Sequence, residues 1–218
     1  MRPAAFLFDM DGLLLDSERI AQASFVEVST AHGLDAEQAA AHFLTMVGTS
    51  QAVSDAMVVD HVRDHVAPEV FSKDWSAAFQ DRAAHGIPLK PHVGDVLQRL
   101  DQSGARMAVV TSTSGGHARQ NLERAGILHH FERVTGGDEV SRNKPHPAPY
   151  LETAEALRVD PASCAAFEDS DRGIAAAVAA GCRAVQVPDL RPPHVPLPAL
   201  GQIIADTLEQ AVRAVAPR

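Results

Sequence analysis

Cysteine is scarce. Only Cys164 and Cys182 occur among 218 residues, and they show no metal-ligand spacing. That excludes a disulfide framework and a cysteine-built metal site, and points to a buried, reduced pair in a cytosol-like chain. Basic residues are also short, 19 against 28 acidic, for a net charge of −9 at pH 7. A nucleic-acid binder would need a basic footprint that this chain lacks. No apolar run approaches the roughly 20 residues of a membrane span. The first residues read as a core strand and not as a basic-plus-apolar signal. A soluble cytoplasmic protein with no nucleic-acid or membrane partner is expected, and a monomer, because no long exposed apolar stripe is visible. Lysine occurs only at positions 73, 90 and 144. An anionic substrate would therefore need local positive potential, since the field of the whole molecule opposes it.

What is present suits a globular enzyme. Hydrophobic residues make up 45% of the chain, enough for a real core, and the length fits one domain with a modest insertion. Residues 4–9 predict the first strand. From about Ser17 to His85 the periodicity is helical: Ile20, Phe25 and Val28 share one face of an early helix with Gly33 as its stop, and further helices are expected over Ala56–His65 and Ser72–Ala84. After Pro91, Val93, Val96, Leu97 and Leu100 fall at i, i+3, i+4 and i+7 of an amphipathic helix. Strands at Met107–Val110, Phe131–Thr135, Cys164–Phe167 and Ala184–Val187 alternate with helices near Leu122, Pro149–Leu157 and Ile174–Ala180. Ile203-Ile204 and a helix over Leu208–Val215 close the chain, and Pro188–Pro198 reads as a surface loop. Alternating strands and helices imply right-handed crossovers and a parallel sheet covered on both faces. The expected fold is α/β, a Rossmann-like parallel sheet core formed by residues 1–16 and 87–218, with an α-helical block, residues 17–86, inserted after the first strand.

Ligands of open parallel sheets bind outside the carboxyl ends of the strands, and several chemically able residues fall there. Asp9 and Asp11 follow the first strand. If strand geometry persists, alternate side chains share a face, and two carboxylates at ~4 Å repel by about 1–4 kcal/mol depending on dielectric. Such a pair calls for a cation, a shared proton or a chemical task, although Asp before Gly12 also serves as a turn residue. Thr111-Ser112-Thr113-Ser114 precedes Gly115-Gly116 at a helix start, either an anion site or a plain cap. Lys144 sits among prolines that stiffen its backbone. Glu168-Asp169 ends another strand and could cap the next helix or bind a hard cation through oxygen.

Taken in order, these residues resemble the signature of the haloacid dehalogenase superfamily: Asp9-Met10-Asp11-Gly12, then Thr111, then Lys144, then Glu168-Asp169. The longer match over Asp9–Glu18, with Lys144-Pro145 and Glu168-Asp169-Ser170, is similar to the subgroup containing β-phosphoglucomutase and phosphoglycolate phosphatase, in which a helical cap follows the first strand. The resemblance implies a Mg²⁺-dependent phosphatase acting on a small phosphorylated metabolite. In that scheme Asp9 is the nucleophile and Asp11 the acid/base. Thr111, Ser112 and Lys144 hold the phosphoryl group, and Mg²⁺ sits among Asp9, the Asp11 carbonyl, Glu168 and Asp169. Dehalogenases differ at the position of Asp11. Phosphonate hydrolases of similar architecture use a cap lysine for a Schiff base, and the only cap lysine here, Lys73, lies in a helical stretch far from the entrance of the insertion. In the mutase an arginine follows a Gly-x-Ser element of the cap and grips a second phosphate. Here Gly48-Thr49-Ser50 is followed by Gln51, and an amide grips phosphate less well than a guanidinium fork. Hydrolysis is therefore expected over hexose-phosphate mutation, with a non-catalytic metabolite binder as the alternative of another class. His92 stands where relatives tend to have glycine. Gly48, Thr49, Ser50 and Gln51 are the cap's candidate substrate contacts. Trp75 and Phe79 read as cap core and the histidines mostly as surface residues; His32 and His42 have the substrate-facing side of the cap as the alternative to a helix-surface position.

Overall fold

A computed structural model describes residues 2–47, 51–191 and 194–216. Fifteen elements carry the fold. In chain order they are β1 (Ala5–Phe8), α1 (Ser17–Ala31), α2 (Ala36–Met46), α3 (Gln51–Val62), α4 (Pro68–Ala83), α5 (Val93–Gln102), β2 (Met107–Val110), α6 (Gly115–Arg124), β3 (Arg133–Thr135), α7 (Ala148–Leu157), β4 (Cys164–Glu168), α8 (Asp171–Ala179), β5 (Arg183–Gln186), β6 (Ile203–Ile204) and α9 (Leu208–Val215). The strands form one parallel sheet in the order β3-β2-β1-β4-β5-β6. Among the described residues no helix is long and apolar enough to cross a membrane.

β1 is central, and all four of its residues are buried. A parallel strand covered on both faces must be apolar throughout, which is why Ala5-Phe6-Leu7-Phe8 shows no alternation with polar residues. Its side chains still alternate between faces. Ala5 and Leu7 join Ala108, Val110 and Ala166 in a cluster with Tyr150, Ala154 and Leu157 of α7 and Ile174 of α8. Phe6 and Phe8 lie in line with Phe167, at ring separations of 6.1 and 4.9 Å. Cys164 and Cys182 are free and buried, the first opening β4 and the second immediately before β5. The four apolar residues anticipated in α5 are all buried. His92 caps that helix at φ +66°, a left-handed conformation that glycine adopts freely and other residues at a cost.

The chain divides into two compact units. One comprises Met1–Asp16, Pro88–Asp189 and Leu197–Arg218; the other comprises Ser17–Ile87 with Leu190–Pro196. The second unit is built from α1–α4 around Phe25, Val28, Ala39, Phe43, Met46, Val58, Val62 and Phe71. Ile20, anticipated beside Phe25, lies outside this cluster; Ala21, four residues before Phe25, packs there instead. Trp75 meets Phe25 and Phe43 edge-on and donates its indole N–H to the Ala21 carbonyl at 3.1 Å, the core role anticipated for it. It also lines a cavity of about 240 Å³ with Glu18, Phe43, Met46 and Ser54. Leu190, in the Pro-rich segment expected to be a bare surface loop, packs on this core.

Three histidines anticipated as surface residues, or included among them, are half-buried instead. His32 Nε2 pairs with Asp74 Oδ2 at 3.0 Å. His42 and His61 stack at 4.4 Å beside Phe25, because an imidazole is flat enough to extend an aromatic cluster. Burial, with His42 and His65 adding repulsion, lowers the His61 pKa from 6.5 to about 4. A histidine depressed in the folded state leaves stability intact above the unfolded value and erodes it as pH falls toward the folded one. The helical unit should therefore lose thermal stability between pH 6.5 and 4, and His61→Gln should flatten that slope. An unchanged slope in melting curves of the variant would assign the acid sensitivity elsewhere.

Candidate active site

The order of strands reverses at β1, whose neighbours are β2 and β4, so the chain leaves these three carboxyl ends in different directions and opens a crevice there. Asp9 follows β1, Thr111 follows β2, and Glu168 ends β4. The Asp9 amide donates to the Phe167 carbonyl at 2.9 Å, locking its backbone to β4. β1 stops at Phe8, so strand geometry does not persist to Asp11 and alternation does not place it. A turn does: the amides of Leu14 and Leu15 both donate to the Met10 carbonyl, and Gly12, at φ +79°, returns its amide to the Leu15 carbonyl. Leu15 then bridges to Leu89, and Lys90 holds this paired segment by its ion pairs with Asp189 at 2.5 Å and Asp16 at 3.5 Å.

The two aspartates consequently have different partners. Asp11 Oδ2 accepts from the Thr113 hydroxyl at 2.7 Å and lies 3.4 Å from that of Thr111. The Thr111 hydroxyl in turn accepts the Thr113 amide at 3.1 Å. Ser112 is exposed between them. Asp9 Oδ1 accepts from Lys144 Nζ at 2.5 Å. Lys144, which a loop lysine's usual behaviour would put in solvent, is buried and also donates to the Val110 carbonyl at 2.8 Å and pairs with Glu168 Oε1 at 2.6 Å. Arg172 fixes the backbone below it through a 2.6 Å bond to the Lys144 carbonyl.

Glu168 is fully buried. Its Oε1 also accepts the hydroxyl of Tyr150, and its Oε2 has no hydrogen-bond partner among the described residues. Gly173 faces this carboxylate so closely that a Cβ there would overlap all three of its heavy atoms. Asp169 follows, with its carbonyl 3.4 Å from Gln186 Nε2. Asp9, Glu168 and Asp169 can each bring a carboxylate oxygen within 4.8 Å of the others.

Carboxylates outnumber ammonium groups here, and the electrostatics follow. Burial raises the Asp9 pKa well above the usual carboxylate range; Lys144 opposes this, and Glu168 and Asp11 reinforce it. Burial alone would lower Lys144, but Asp9 and Glu168 outweigh it and hold the ammonium charged above its ordinary value. Burial also pushes the Tyr150 phenol up, with Glu168 and Asp9 adding to it, so its hydroxyl stays a donor. Asp9, Lys144 and Tyr150 are thus all biased toward keeping a proton.

Asp9, Asp11, Thr111, Lys144, Glu168 and Asp169 converge as a set, with Ser112 at its exposed side. Sequence reasoning missed Thr113, Tyr150, Arg172 and Gly173 as parts of it. Tyr150 carried one signal, as the chain's only tyrosine, six residues beyond Lys144. Gly48, Thr49 and Ser50 lie outside the described residues, and Gln51 opens α3 with its side chain likewise undescribed.

The chain matches known proteins over most of its length. A model of haloacid dehalogenase-like hydrolases matches residues 6–187. The fructose-1-phosphate phosphatase YqaB of Escherichia coli (strain K12) is 31% identical over 187 residues, covering 85% of this chain and 97% of that protein. Among solved structures, a hydrolase of this family from Deinococcus radiodurans R1 with bound phosphate and sodium aligns with a TM-score of 0.77 at 28% identity, covering 97% of this chain and 93% of that one. A predicted phosphoglycolate phosphatase from Haemophilus somnus 129PT shares the fold with a TM-score of 0.83 at 23% identity and 99% coverage of both chains.

Proposed function

Because the chain belongs to the haloacid dehalogenase-like hydrolase family, we propose that it is a Mg²⁺-dependent phosphatase that cleaves a small phosphomonoester, a sugar phosphate or similar metabolite, through an aspartyl-phosphate at Asp9. The observation that carries this reading is the buried ammonium of Lys144 between Asp9 and Glu168. It puts fixed positive charge where a phosphoryl group must meet a carboxylate nucleophile, in a chain whose overall charge repels anions.

The donor set fits Mg²⁺, a hard cation that takes one or two carboxylates together with water and phosphate oxygens. A buried Glu168 oxygen lacking a donor and an excess of carboxylate over ammonium are what such an ion relieves. Asp9, Glu168 and Asp169, with the Asp11 carbonyl, would hold it. When bound, it neutralises charge on the transferring phosphoryl group.

The chain's own residues supply the rest. Asp9 forms a bond to phosphorus as the ester P–O bond breaks, giving an acyl phosphate. Asp11 gives its proton to the departing alkoxide, then takes one from the water that attacks the acyl phosphate, which frees inorganic phosphate and restores Asp9. Thr113, donating to one oxygen of Asp11, fixes the orientation of the other. Lys144, Thr111 and the Ser112 amide hold the phosphoryl oxygens, which suits a reaction that is mostly positioning and electrostatics. The helical cap, residues 17–86, chooses among phosphorylated substrates, and Gln51 in place of a phosphate-gripping arginine favours hydrolysis over transfer to a second hydroxyl.

A Mg²⁺-supplemented screen over sugar, polyol and nucleoside phosphates and phosphoglycolate tests this reading. Metal-dependent release of free phosphate supports it, and conversion of a hexose 1-phosphate to its 6-phosphate isomer would instead make the protein a mutase. No turnover on any ester would leave it a binder.

A further inference from the structure

Glu168 is held from three sides, and only one of the three is charged. Lys144 and Tyr150 both donate to Oε1, while the backbone of Gly173 closes against the carboxylate and leaves no room for it to turn. Tyr150 is itself fully buried in the α7–α8 side of the core, among Leu7, Val110, Ala166 and Ile174. Its ring is therefore fixed by packing, and its hydroxyl is a donor of fixed direction. Lys144 differs, because it is shared with Asp9 and the Val110 carbonyl and must also serve a bound phosphate.

We propose that Tyr150 is a positioning residue for the cation, its hydroxyl holding Glu168 Oε1 so that the carboxylate keeps one orientation beside Asp9 and Asp169. The inference rests on reading Asp9, Glu168 and Asp169 as the Mg²⁺ site. Hydrogen-bond partners that orient a ligating carboxylate govern metal affinity, and their loss commonly weakens it by about 10- to 100-fold.

Tyr150→Phe keeps the ring and removes the donor. Thr153→Val is its control. Thr153 is another fully buried hydroxyl of α7, bonded to the Thr135 hydroxyl at 2.9 Å and the Pro149 carbonyl at 2.6 Å and through neither bond to Glu168. MgCl₂ is titrated calorimetrically into the metal-free proteins, and melting temperatures without metal are recorded beside it. The expected result is a Mg²⁺ Kd raised about 10-fold or more in Tyr150→Phe and unchanged within about 2-fold in Thr153→Val, whatever each variant does to the melting temperature. Equal Kd for Tyr150→Phe and wild type overturns the role of Tyr150 while leaving the metal site standing. Equal weakening by both variants overturns it too, since general loosening of α7 would then be the cause. A wild-type protein that binds no Mg²⁺ overturns the metal reading and this inference with it.

Discussion

Asp9→Asn should lower kcat for any accepted phosphomonoester by about 10⁴-fold or more, the scale on which removal of a nucleophile is felt in enzymes that use covalent catalysis. The amide matches the carboxylate in shape, so the backbone bond from Asp9 to Phe167 and the apolar β1 that precedes it are left as they are, and the circular dichroism spectrum and melting profile should remain those of a folded protein. The expected loss lies in kcat and not in KM, because the carboxylate forms a bond in the transition state that the ground-state complex does not have. Residual activity at a tenth of wild type in a pure preparation would remove Asp9 from the role of nucleophile.

The second large effect is expected at Lys144→Met. The ammonium is the only lysine charge between Asp9 and Glu168, and taking one partner from a buried ion pair costs about 3–5 kcal/mol because the other charge stays behind unpaired. The pH dependence has a definite sign. Asp9 is already raised in the folded protein, first by burial and further by Glu168 and Asp11, with Lys144 the group that restrains it. A carboxyl raised by folding contributes stability that is fully present below its unfolded pKa of about 3.9 and is lost as pH rises through the folded value. Without Lys144 that loss deepens. The stability gap between wild type and Lys144→Met, measured by urea denaturation of the metal-free proteins, should widen from mildly acid to neutral pH, and catalysis should fall by about 100-fold or more with it. A gap that narrows as pH rises would contradict the charge balance described for this cluster.

How far the sequence carried depends on which residues speak locally. β1 declared itself because a strand buried on both faces needs four apolar residues in a row, and Asp9 was legible as the first polar residue beyond it. α5 was legible from its i, i+3, i+4, i+7 spacing, and Glu168-Asp169 from an apolar strand ending abruptly in acid. The partners of these groups were not legible, because they are set by tertiary approach. Nothing in the spacing of Tyr150 and Glu168 says that α7 lays a phenol against the end of β4. Thr113 looked like one hydroxyl of several before a helix, and it turned out to hold Asp11 because the turn after β1 passes over it. Lys144 offered only its identity; its burial follows from where β2 and β4 end. In the helical unit, His42 and His61 were hidden because imidazoles stacked on phenylalanine have no periodic signature distinct from polar surface positions.

The central claim, that Asp9 is covalently phosphorylated, has a direct chemical measurement. An acyl phosphate is reduced by borohydride to the alcohol, which turns aspartate into homoserine. The protein should be mixed with Mg²⁺ and a substrate from the screen, quenched in acid during turnover, reduced and mapped by peptide mass spectrometry. The account predicts homoserine at position 9, dependent on both substrate and metal and absent from Asp9→Asn. Rapid phosphate release with position 9 unmodified, or homoserine at position 11, would contradict it.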